Sequence, residues 1–379
     1  MTDRESRAED VSEYKRCQPG DIVLNRMRAF QGAIGISRTQ GLVTPEYLVL
    51  RPIPSVEPRF LHYLFKSSWF VGQMTSRLHG IGTAEQGNVR TPRIYWGELG
   101  SIALRLPDLR EQRVIADLLD HDTARIDALV AAKRLLLDRL VERRESVVFR
   151  GVTGLLDSGV DCHDPGLPWV RAVRKPWPSA KIKHVGRLGT GHTPSRSQPE
   201  YWEHCTIPWI TTGEIKQVRD DRREVISGTR EMISELGLAN SSAELHEKGT
   251  VVLCRTASAG YSAIMGASMA TSQDFVTWAC SDRLLPRYLL MCLRAMRSDL
   301  LGRLAFGSTH KTIYMPDIEA LQIPLPSVSE QREVLVDIDL RLADIDALTE
   351  RVQSQLSSLI EHRQGLITAA VTQAGASTK

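Results

Sequence analysis

The sequence lacks several features that would place it in a specialised class of protein. No apolar run approaches the roughly 18 residues that a membrane-spanning helix needs. The first residues, MTDRESRAEDVSEYKR, are polar and charged and contain no apolar stretch typical of a secretion signal. The six cysteines are scattered and form no C-x-x-C pair. This usage favours reduced thiols in a cytoplasmic protein over disulfides or a zinc site.

Motifs of common enzyme classes are absent as well. The chain has no Asn/Asp-Pro-Pro-Tyr/Phe methyltransferase motif and no P-loop. GRLGTGHTP contains a G-x-G, but Pro194 follows it and no helical pattern comes next, which argues against a dinucleotide site. His192, His204 and Cys205 do not have the spacing of zinc ligands. We therefore expect the chain by itself to be non-enzymatic and to hold neither a metal nor a cofactor.

The net charge of +3 is too small to identify a partner, but its distribution along the chain is uneven. Residues 1–106 and 173–325 each carry a net charge of +4, residues 107–154 are neutral, and residues 326–373 carry −4. A mild positive excess is compatible with nucleic-acid binding and with an ordinary solvated surface. Charge alone therefore leaves the function open.

What the sequence does contain is a long internal repeat. PDLREQRVIADLLDHDTARIDAL, at 107–129, returns as PSVSEQREVLVDIDLRLADIDAL, at 326–348, at an offset of 219 residues. The same offset relates Arg144 to Arg363 and Thr153 to Thr372 without a gap. Two copies of about 48 residues in one register are unlikely to arise by chance, and a repeat of this kind defines the organisation of the whole chain.

Each copy predicts one long helix, because apolar residues recur every seven positions and no proline interrupts either segment. About ten turns would span roughly 60 Å. A stripe this narrow needs a partner, and the economical partner is the other copy, packed as an antiparallel coiled coil; the alternative is that each helix packs on its own globular neighbour. Lys133 interrupts the first stripe and is expected to mark register or a polar contact. The residues predicted to pack are Leu119, Ile126, Leu129, Leu136, Leu140 and Val147 in the first copy, and Ile338, Ile345, Leu348, Val352, Leu359 and Leu366 in the second.

The segments ahead of the helices repeat more loosely. PGDIVLNRMRA matches KGTVVLCRTAS, TPEYLVLRP matches TSQDFVTWA, RFLHYLFKSS matches RYLLMCLRAM, and HGIGTAEQGNVRT matches FGSTHKTI. Directly before each helix, LGSIALRLP and IEALQIPLP predict a strand, and Ser329 is predicted to cap the second helix. The expected fold is α+β, with two tandem mixed domains and two long helices as a spacer. The expected boundaries are domain 1 at 1–106, helix 1 at 107–154, a linker at 155–172, domain 2 at 173–325, helix 2 at 326–373 and a tail at 374–379.

This layout resembles the specificity (S) subunit of type I restriction-modification systems. The resemblance rests on the two Glu-Gln-Arg and Ile-Asp-Ala-Leu helices and on GTGHTPSRSQPEYWEHCTIPWITTGEI, at 189–215. It implies two target-recognition domains that each read one half of a bipartite double-stranded DNA sequence, with the helices fixing the gap between the halves. It further implies docking to two methyltransferase (M) subunits and, through the complex, to a nuclease/translocase (R) subunit. S-adenosylmethionine, ATP and Mg would be held by those partner subunits.

The first copy departs from this pattern, because it has no counterpart of VRKPWPSAKIKHVGRLGTGHTPSRSQPEYWEHCTIPWITTGEIK and of the residues that follow it. We therefore expect a first recognition domain that is truncated at its N-terminus and a second one that is whole. The competing hypothesis is a non-reading interaction or decoy protein, which binds methyltransferase subunits through its helices and has no selective DNA binding.

Candidate DNA contacts are polar or cationic residues on loops and strand ends, where guanidinium forks, amides and hydroxyls can reach bases or phosphates. For each of them a solvated loop residue is the competing interpretation. Trp177, Trp202 and Trp209 are expected to be core residues and not base-stacking groups. The candidates are His192, Thr193, Ser195, Arg196, Gln198, Thr211, Thr212, Lys216, Arg255, Ser308, Thr309, His310 and Lys311 in the second domain, and Asn25, Arg26 and Arg28 in the first.

Overall fold

The computed structural model describes residues 10–78, 92–306 and 311–374. The chain divides into two compact units. Unit 1 comprises the residues up to 137 together with those from 350 onward, and unit 2 comprises residues 138–349. In the described part of the chain, every helix is too short or too polar to cross a membrane.

Unit 1 has a small antiparallel sheet in the order β3-β2-β5 and a separate pair, β1-β4. A 3₁₀ turn, Ala29–Gln31, follows β2. The core is formed by β2, the first two helices and the beginning of the fourth. The elements are β1 (Lys15–Cys17), β2 (Ile22–Asn25), β3 (Ile34–Ile36), β4 (Gly41–Val43), β5 (Tyr47–Leu50), α1 (Pro58–Lys66), α2 (Ser68–Thr75), α3 (Trp96–Gly100) and α4 (Leu109–Val152), of which α4 continues into unit 2.

Unit 2 is built around a five-stranded sheet in the order β11-β14-β13-β16-β9, beside a three-stranded sheet in the order β12-β10-β15. Its strands are β6 (Cys162–His163), β7 (Val173–Arg174), β8 (Ser179–Lys181), β9 (Gly186–Thr190), β10 (Ile207–Ile210), β11 (Val225–Ile226), β12 (Met232–Ile233), β13 (Val251–Cys254), β14 (Ser262–Met265), β15 (Ala270–Thr271), β16 (Phe275–Cys280), β17 (Ala305–Phe306), β18 (Thr312–Ile313) and β19 (Gln322–Pro324). Its helices are α5 (Glu235–Ala239), α6 (Pro286–Ala295), α7 (Arg297–Asp299), α8 (Met315–Glu319) and α9 (Val328–Ala374), with 3₁₀ turns at Ile182–His184, Pro199–Trp202 and Thr212–Gln217 and a π-helical turn at Leu300–Leu304. The end of α9, from residue 350, belongs to unit 1.

The looser sequence repeat corresponds to the same local structure in both units. In unit 2, β13 pairs with β14 and β16, as β2 pairs with β3 and β5 in unit 1. Gly20 and Gly249 enter these central strands with φ of +90°, a conformation that favours glycine. Pro58 and Pro286 occupy the first turn of α1 and α6. The α+β class is as predicted.

The repeated Glu-Gln-Arg is explained by its glutamine, which is almost fully buried in both units. In unit 2, Gln331 Oε1 accepts the backbone N–H of Leu285 at 2.8 Å, and Nε2 donates to the carbonyls of Arg283 and Pro326, both at 2.9 Å. In unit 1, Gln112 bonds to residues 57, 55 and 107 in the same way, at 2.8, 3.2 and 2.8 Å. Each glutamine therefore joins the start of a long helix to the residue that caps α1 or α6.

The predictions for the residues just ahead of the long helices were partly wrong. Ser327, not Ser329, caps α9: its Oγ accepts the Glu330 N–H at 3.3 Å, and its own N–H donates to Glu330 at 2.9 Å. This is the Ser-x-x-Glu capping box, which the prediction placed two residues too late. The strand predicted at 102–106 does not form, whereas its counterpart β19 pairs with β8. In the described part of unit 1, no segment takes the place of β8, so residues 102–106 have no strand to pair with.

The long helices pair antiparallel within each unit. In unit 1, Arg363 Nη2 donates to Asp127 at 3.1 Å and Lys133 Nζ donates to Gln355 at 2.7 Å, so the partner number falls as the helix advances. In unit 2, Arg144 makes two bonds to Asp346, at 2.5 and 2.7 Å. Arg144 and Arg363 are equivalent in the repeat, as are Asp127 and Asp346. The predicted polar contact of Lys133 is confirmed, and so is the antiparallel pairing.

The second seam of the coiled coil was assigned one residue too early. Leu129, Leu136 and Leu348 were predicted to pack, but they are 52%, 40% and 40% exposed. The side chains that turn inward follow four residues after the first seam and not three, a spacing that a heptad permits equally. They are Thr123, Val130, Leu137 and Arg144 in α4, and Leu342, Thr349, Leu356 and Arg363 in α9. Polar members of this seam explain why the apolar leucines beside it looked like the better candidates.

The first seam was predicted correctly. Its residues are buried or half-buried: Leu119, Ile126, Leu140 and Val147 in α4, and Ile338, Ile345, Val352, Leu359 and Leu366 in α9. In unit 1, Leu119 also joins the globular core, together with Ile367 and Val371 of α9. The helices therefore pack both on each other and on their own globular neighbour, and the two alternatives hold together.

Gly151 marks a close approach of the two helices in unit 2, since a Cβ there would lie 2.5 Å from the fully buried Ile338 side chain. Gly151→Ala is expected to lower the free energy of unfolding by roughly 1–3 kcal/mol, because Ile338 cannot move aside without repacking. Gly365→Ala is the matched control on α9: a Cβ there meets nothing within 4 Å, and better helix propensity should stabilise by about 0.5–1 kcal/mol. Urea unfolding of both variants measures the two changes in unfolding free energy. Stabilisation by both substitutions would contradict the close packing at Gly151.

Candidate nucleic-acid interface

Arg255 follows the central strand β13 and lies at a junction of three loops in unit 2. Its Nε donates to the Gln273 carbonyl at 3.0 Å, and its backbone N–H donates to Asp274 at 2.8 Å. The Gln273 side chain in turn accepts from the Thr193 hydroxyl at 2.5 Å. The strands thus bring two predicted residues, Arg255 and Thr193, together around Gln273, which the sequence reasoning missed.

A fourth segment completes this surface. Thr256 forms a bridge with Thr312, and the Ile313 N–H donates to the Arg255 carbonyl at 2.8 Å. Exposed Lys311 therefore stands beside Arg255; its Nζ lies 3.4 Å from the Leu301 carbonyl. We call residues 192–193, 255–256, 273–274 and 311–312 the strand-end edge. Ser308, Thr309 and His310, and the matching first-copy segment HGIGTAEQGNVRT, lie outside the described residues.

Asp274 organises the edge from within. Its carboxylate accepts the Thr256 hydroxyl and, at 3.1 Å, the Ser272 hydroxyl. These bonds fix the turn that presents Gln273, whose side chain is exposed. An exposed amide suits recognition of adenine, and an arginine fork suits guanine or phosphate. Nothing local in the sequence distinguishes Gln273 from other polar residues ahead of a strand, so no sequence signal could have identified it.

The loop that begins at His192 is anchored to the sheet mainly by its backbone. The His192 N–H donates to the Thr271 carbonyl at 2.9 Å, and its carbonyl accepts from Trp209 Nε1 at 3.3 Å, which leaves the imidazole exposed. Thr211 leaves the sheet next to Ser272, because β10 and β15 run parallel and end together. Thr212 begins the following 3₁₀ turn, and Lys216 is exposed on it.

Arg196 has a different environment from the other candidates. Its guanidinium stacks 3.7 Å from the Trp202 ring centroid, and Nη2 bonds to Glu231 at 2.7 Å. Both interactions hold the side chain against the small sheet, so it is a weaker candidate for base reading. Ser195 bonds to Ser197 at 2.8 Å, and Gln198 takes part in the turn through its backbone. Trp177 and Trp209 are core residues as predicted, each 3% exposed, and Trp202 is half-buried.

Unit 1 repeats the central part of this edge around Arg26. The Arg26 N–H donates to Glu46 at 3.1 Å, and the Ile94 N–H donates to the Arg26 carbonyl at 3.1 Å, as in unit 2. The guanidinium turns toward Tyr95, 4.6 Å from its ring centroid. Asn25 accepts the Met27 N–H at 3.0 Å, and Arg28 is exposed. Arg26 is therefore the structural equivalent of Arg255, as the sequence comparison predicted.

Two titratable groups near the edge have pKa values shifted by burial. Burial raises the pKa of the Cys254 thiol to about 12, and burial lowers the pKa of His246 in the adjacent core. Within the described ranges, no cluster of His, Cys, Asp and Glu is placed to hold a metal ion. The chemistry that this surface offers is hydrogen bonding and positive charge.

Comparison with known proteins places this architecture. Residues 174–357 match the model of the type I restriction modification DNA specificity domain. The type I restriction enzyme MjaIX specificity subunit of Methanocaldococcus jannaschii is 31% identical over 163 residues, which are 43% of this chain and 37% of that protein. The EcoR124I/EcoR124II specificity subunit of Escherichia coli is 24% identical over 188 residues, 48% of this chain and 44% of that protein. The chain thus spans less than half the length of these two relatives.

Solved structures share the fold at low identity. A chain from a study titled as the structural basis of complex assembly and conformational transition of the type I R-M system matches with a TM-score of 0.65 at 17% identity, covering 96% of this chain and 84% of that one. The HsdS subunit from Thermoanaerobacter tengcongensis matches with a TM-score of 0.51 at 17% identity, covering 96% and 83%. Residues 174–357 thus carry a type I restriction modification DNA specificity domain, and the chain is similar to type I specificity subunits.

Proposed function

We propose that this chain is a sequence-specific DNA-binding subunit in which each unit reads one half of a bipartite target. The observation that carries the proposal is that the strand-end arginine is built twice, as Arg26 and Arg255, with the same backbone partners. Exposed cationic, amide and hydroxyl groups surround Arg255, and such groups contact base edges and phosphates. The mild positive charge of both recognition segments is compatible with this role.

The same proposal assigns two roles to α4 and α9. As continuous helices they would set the number of unread base pairs between the half-sites, since a paired helix keeps a rise of about 1.5 Å per residue. They would also dock two methyltransferase subunits, and through them a nuclease/translocase subunit. S-adenosylmethionine, ATP and Mg²⁺ would then be held by those partners and not by this chain.

Support for docking comes from exposed apolar residues that recur at equivalent positions. Leu129 and Leu348 are 52% and 40% exposed, and Val141 and Ile360 are 57% and 46% exposed. The two residues of each pair are separated by the repeat offset of 219 residues. Each unit therefore exposes one residue of the first pair and one residue of the second pair. Covering an exposed apolar side chain with a partner removes it from water and lowers the free energy of the complex. A surface present twice fits two copies of one partner.

Substitution of these leucines tests the docking. Leu129→Glu and Leu348→Glu should each lower the co-purified methyltransferase from two subunits per chain to one, and the double variant should lose both. Leu135→Glu is the matched control, because Leu135 is 58% exposed and its repeat equivalent is Ser354. Native mass spectrometry gives the stoichiometry. Two bound subunits in all variants would remove this surface from consideration.

DNA reading is tested by mapping methylated bases in a host that carries only this chain and the neighbouring methyltransferase genes. A split, two-part methylated motif is expected. Methylation of one half-site or its palindrome would mean that unit 2 alone reads. Co-purification without any methylation would contradict the proposal and favour the alternative of an interaction or decoy protein that binds methyltransferase subunits without selective DNA binding.

A further inference from the structure

The 218–224 loop, VRDDRRE, links the 3₁₀ turn at Thr212–Gln217 to strand β11 in unit 2. It belongs to the part of the second copy that has no counterpart in the first. The turn before it carries the candidate DNA contacts Thr212 and Lys216. The contacts of this loop therefore decide how firmly that turn is held.

Asp221, at the centre of the loop, forms ion pairs with two arginines of unit 2. Its carboxylate receives two parallel bonds from Arg297, at 2.6 and 2.7 Å, and Arg294 Nε lies 3.4 Å away. The residue adopts a left-handed conformation with φ of +57°, which aspartate and asparagine tolerate better than most residues. That conformation turns the Asp221 carbonyl in a second direction.

The Asp221 carbonyl connects the loop to the helix pair. It accepts from Arg294 Nη1 at 2.7 Å and from Arg144 Nη2 at 3.1 Å. Arg144 belongs to α4 and holds Asp346 of α9 through two further bonds. One residue therefore touches, directly or through Arg144, α6, α7 and both long helices inside unit 2.

A second contact ties the end of the same loop to α9. Glu224 receives two bonds from Arg287, at 2.6 and 2.8 Å, and Arg287 also makes two bonds to Asp339, at 2.6 and 2.5 Å. Bidentate arginine–carboxylate pairs fix orientation as well as distance. The loop is thus fastened at its centre and at its end.

These groups are largely removed from water. Side-chain exposure is 5% for Arg294, 15% for Arg144 and 22% for Asp221. Burial lowers the pKa of Arg294, because its charge has lost most of its hydration. Partly buried ion pairs of this kind are costly to break, since the remaining partner keeps an unpaired charge.

We propose that Asp221 is a positioning residue, which fixes the turn at Thr212–Gln217 relative to the Arg144–Asp346 pair of the helices so that unit 2 meets DNA in one orientation. The proposal rests on the proposed DNA-reading function. It assigns Asp221 no contact with DNA: the residue acts through the arginines it holds.

Three variants of the full chain separate this role from a local one. Asp221→Ala removes the carboxylate and strains the left-handed backbone. Asp221→Asn keeps the conformation and one acceptor oxygen, and it serves if the alanine variant does not fold. Asp220→Ala is the control in the same loop, since among the residues that the structure describes Asp220 bonds within the loop, to the Arg222 N–H at 3.1 Å.

The first readout is hydrogen exchange and needs no DNA. In Asp221→Ala, amides of residues 212–217 should exchange about tenfold faster, while those of β13 and β16 stay unchanged; Asp221→Asn should fall between alanine and wild type. The second readout is affinity for the DNA motif obtained by methylation mapping. It should fall about tenfold with an unchanged slope of log affinity against log salt, because no phosphate contact is lost.

Each of the other outcomes contradicts a specific part of the proposal. Unchanged exchange at 212–217 would show that Asp221 fastens nothing, whatever happens to DNA binding. Faster exchange with unchanged affinity would make the contact structural only, and a reduced salt slope would mean that the site touches phosphate directly. If the wild-type chain selects no DNA motif, the proposed function fails and takes the positioning role with it, while hydrogen exchange still reports on the contact.

Discussion

Replacing Gln331 by alanine is expected to lower the free energy of unfolding of unit 2 by roughly 2–4 kcal/mol. Gln331 is fully buried and makes three hydrogen bonds of 2.8–2.9 Å to the backbone of residues 283, 285 and 326. Alanine would leave these groups without a partner and open a cavity where the side chain lay. Because Gln331 lies in the first turn of α9, its loss should loosen α6 from the helix. Chemical denaturation followed by circular dichroism measures the change.

Two comparisons separate the hydrogen bonds from the volume of the side chain. Gln331→Met nearly preserves volume and removes all three bonds, so it should remain destabilised; a Met variant as stable as wild type would show that the bonds contribute nothing. Gln112→Ala should have a similar effect on unit 1, since its three bonds are equivalent. Gln353→Ala, at an exposed position on α9, should change stability by less than about 0.5 kcal/mol.

The glutamine also shows how far the sequence could be interpreted without a structure. It recurs in two Glu-Gln-Arg motifs, and the helices, their antiparallel pairing and the correspondence of segments between the two units followed from periodicity and the repeat. The role of Gln331 did not follow, because its partners lie 46 and 48 residues earlier in the chain. Long-range backbone partners leave no local signature.

The misplaced seam has a different physical origin. From Ile126, the next inward residue of a heptad lies either three or four positions on, and both choices fit a single helix. Leu129 was the more apolar choice, but Val130 is buried at 8% and Leu129 is exposed. The contacts with the partner helix determine which position turns inward, as where Arg363 of α9 pairs with Asp127 of α4. Apolar character could not distinguish a packed leucine from one that is open to a further partner.

The candidate DNA contacts also differ in how far the local sequence could identify them. Arg255 and Arg26 were located by their position after a repeated strand, which the sequence records. Arg196 looked equally suitable on its loop, yet its stacking on Trp202 depends on a tryptophan brought in by tertiary structure. Gln273 was overlooked because nothing local distinguishes it from any polar residue before a strand.

Arg255→Ala is expected to weaken binding to the selected DNA motif by about 5- to 150-fold, which corresponds to roughly 1–3 kcal/mol. The guanidinium is anchored through Nε to Gln273, so its two terminal nitrogens remain available for a base or a phosphate. If they read a guanine, one base position of one half-site should relax and the salt slope should hold. If they hold a phosphate, affinity should fall for all sequences and the slope should drop by about one.

Three matched variants make this result specific. Arg26→Ala should relax a position in the other half-site, because Arg26 occupies the equivalent strand end; if both half-sites stay unchanged, unit 1 does not read DNA. Arg196→Ala should lower stability by its lost packing on Trp202 and leave the motif intact. Arg187→Ala, on β9 opposite Ala279 and away from the edge, should leave both the motif and the affinity near wild type. An Arg187 effect as large as that of Arg255 would reduce the strand-end edge to part of a general positive surface, and sequence reading would then have to be sought elsewhere in the two units.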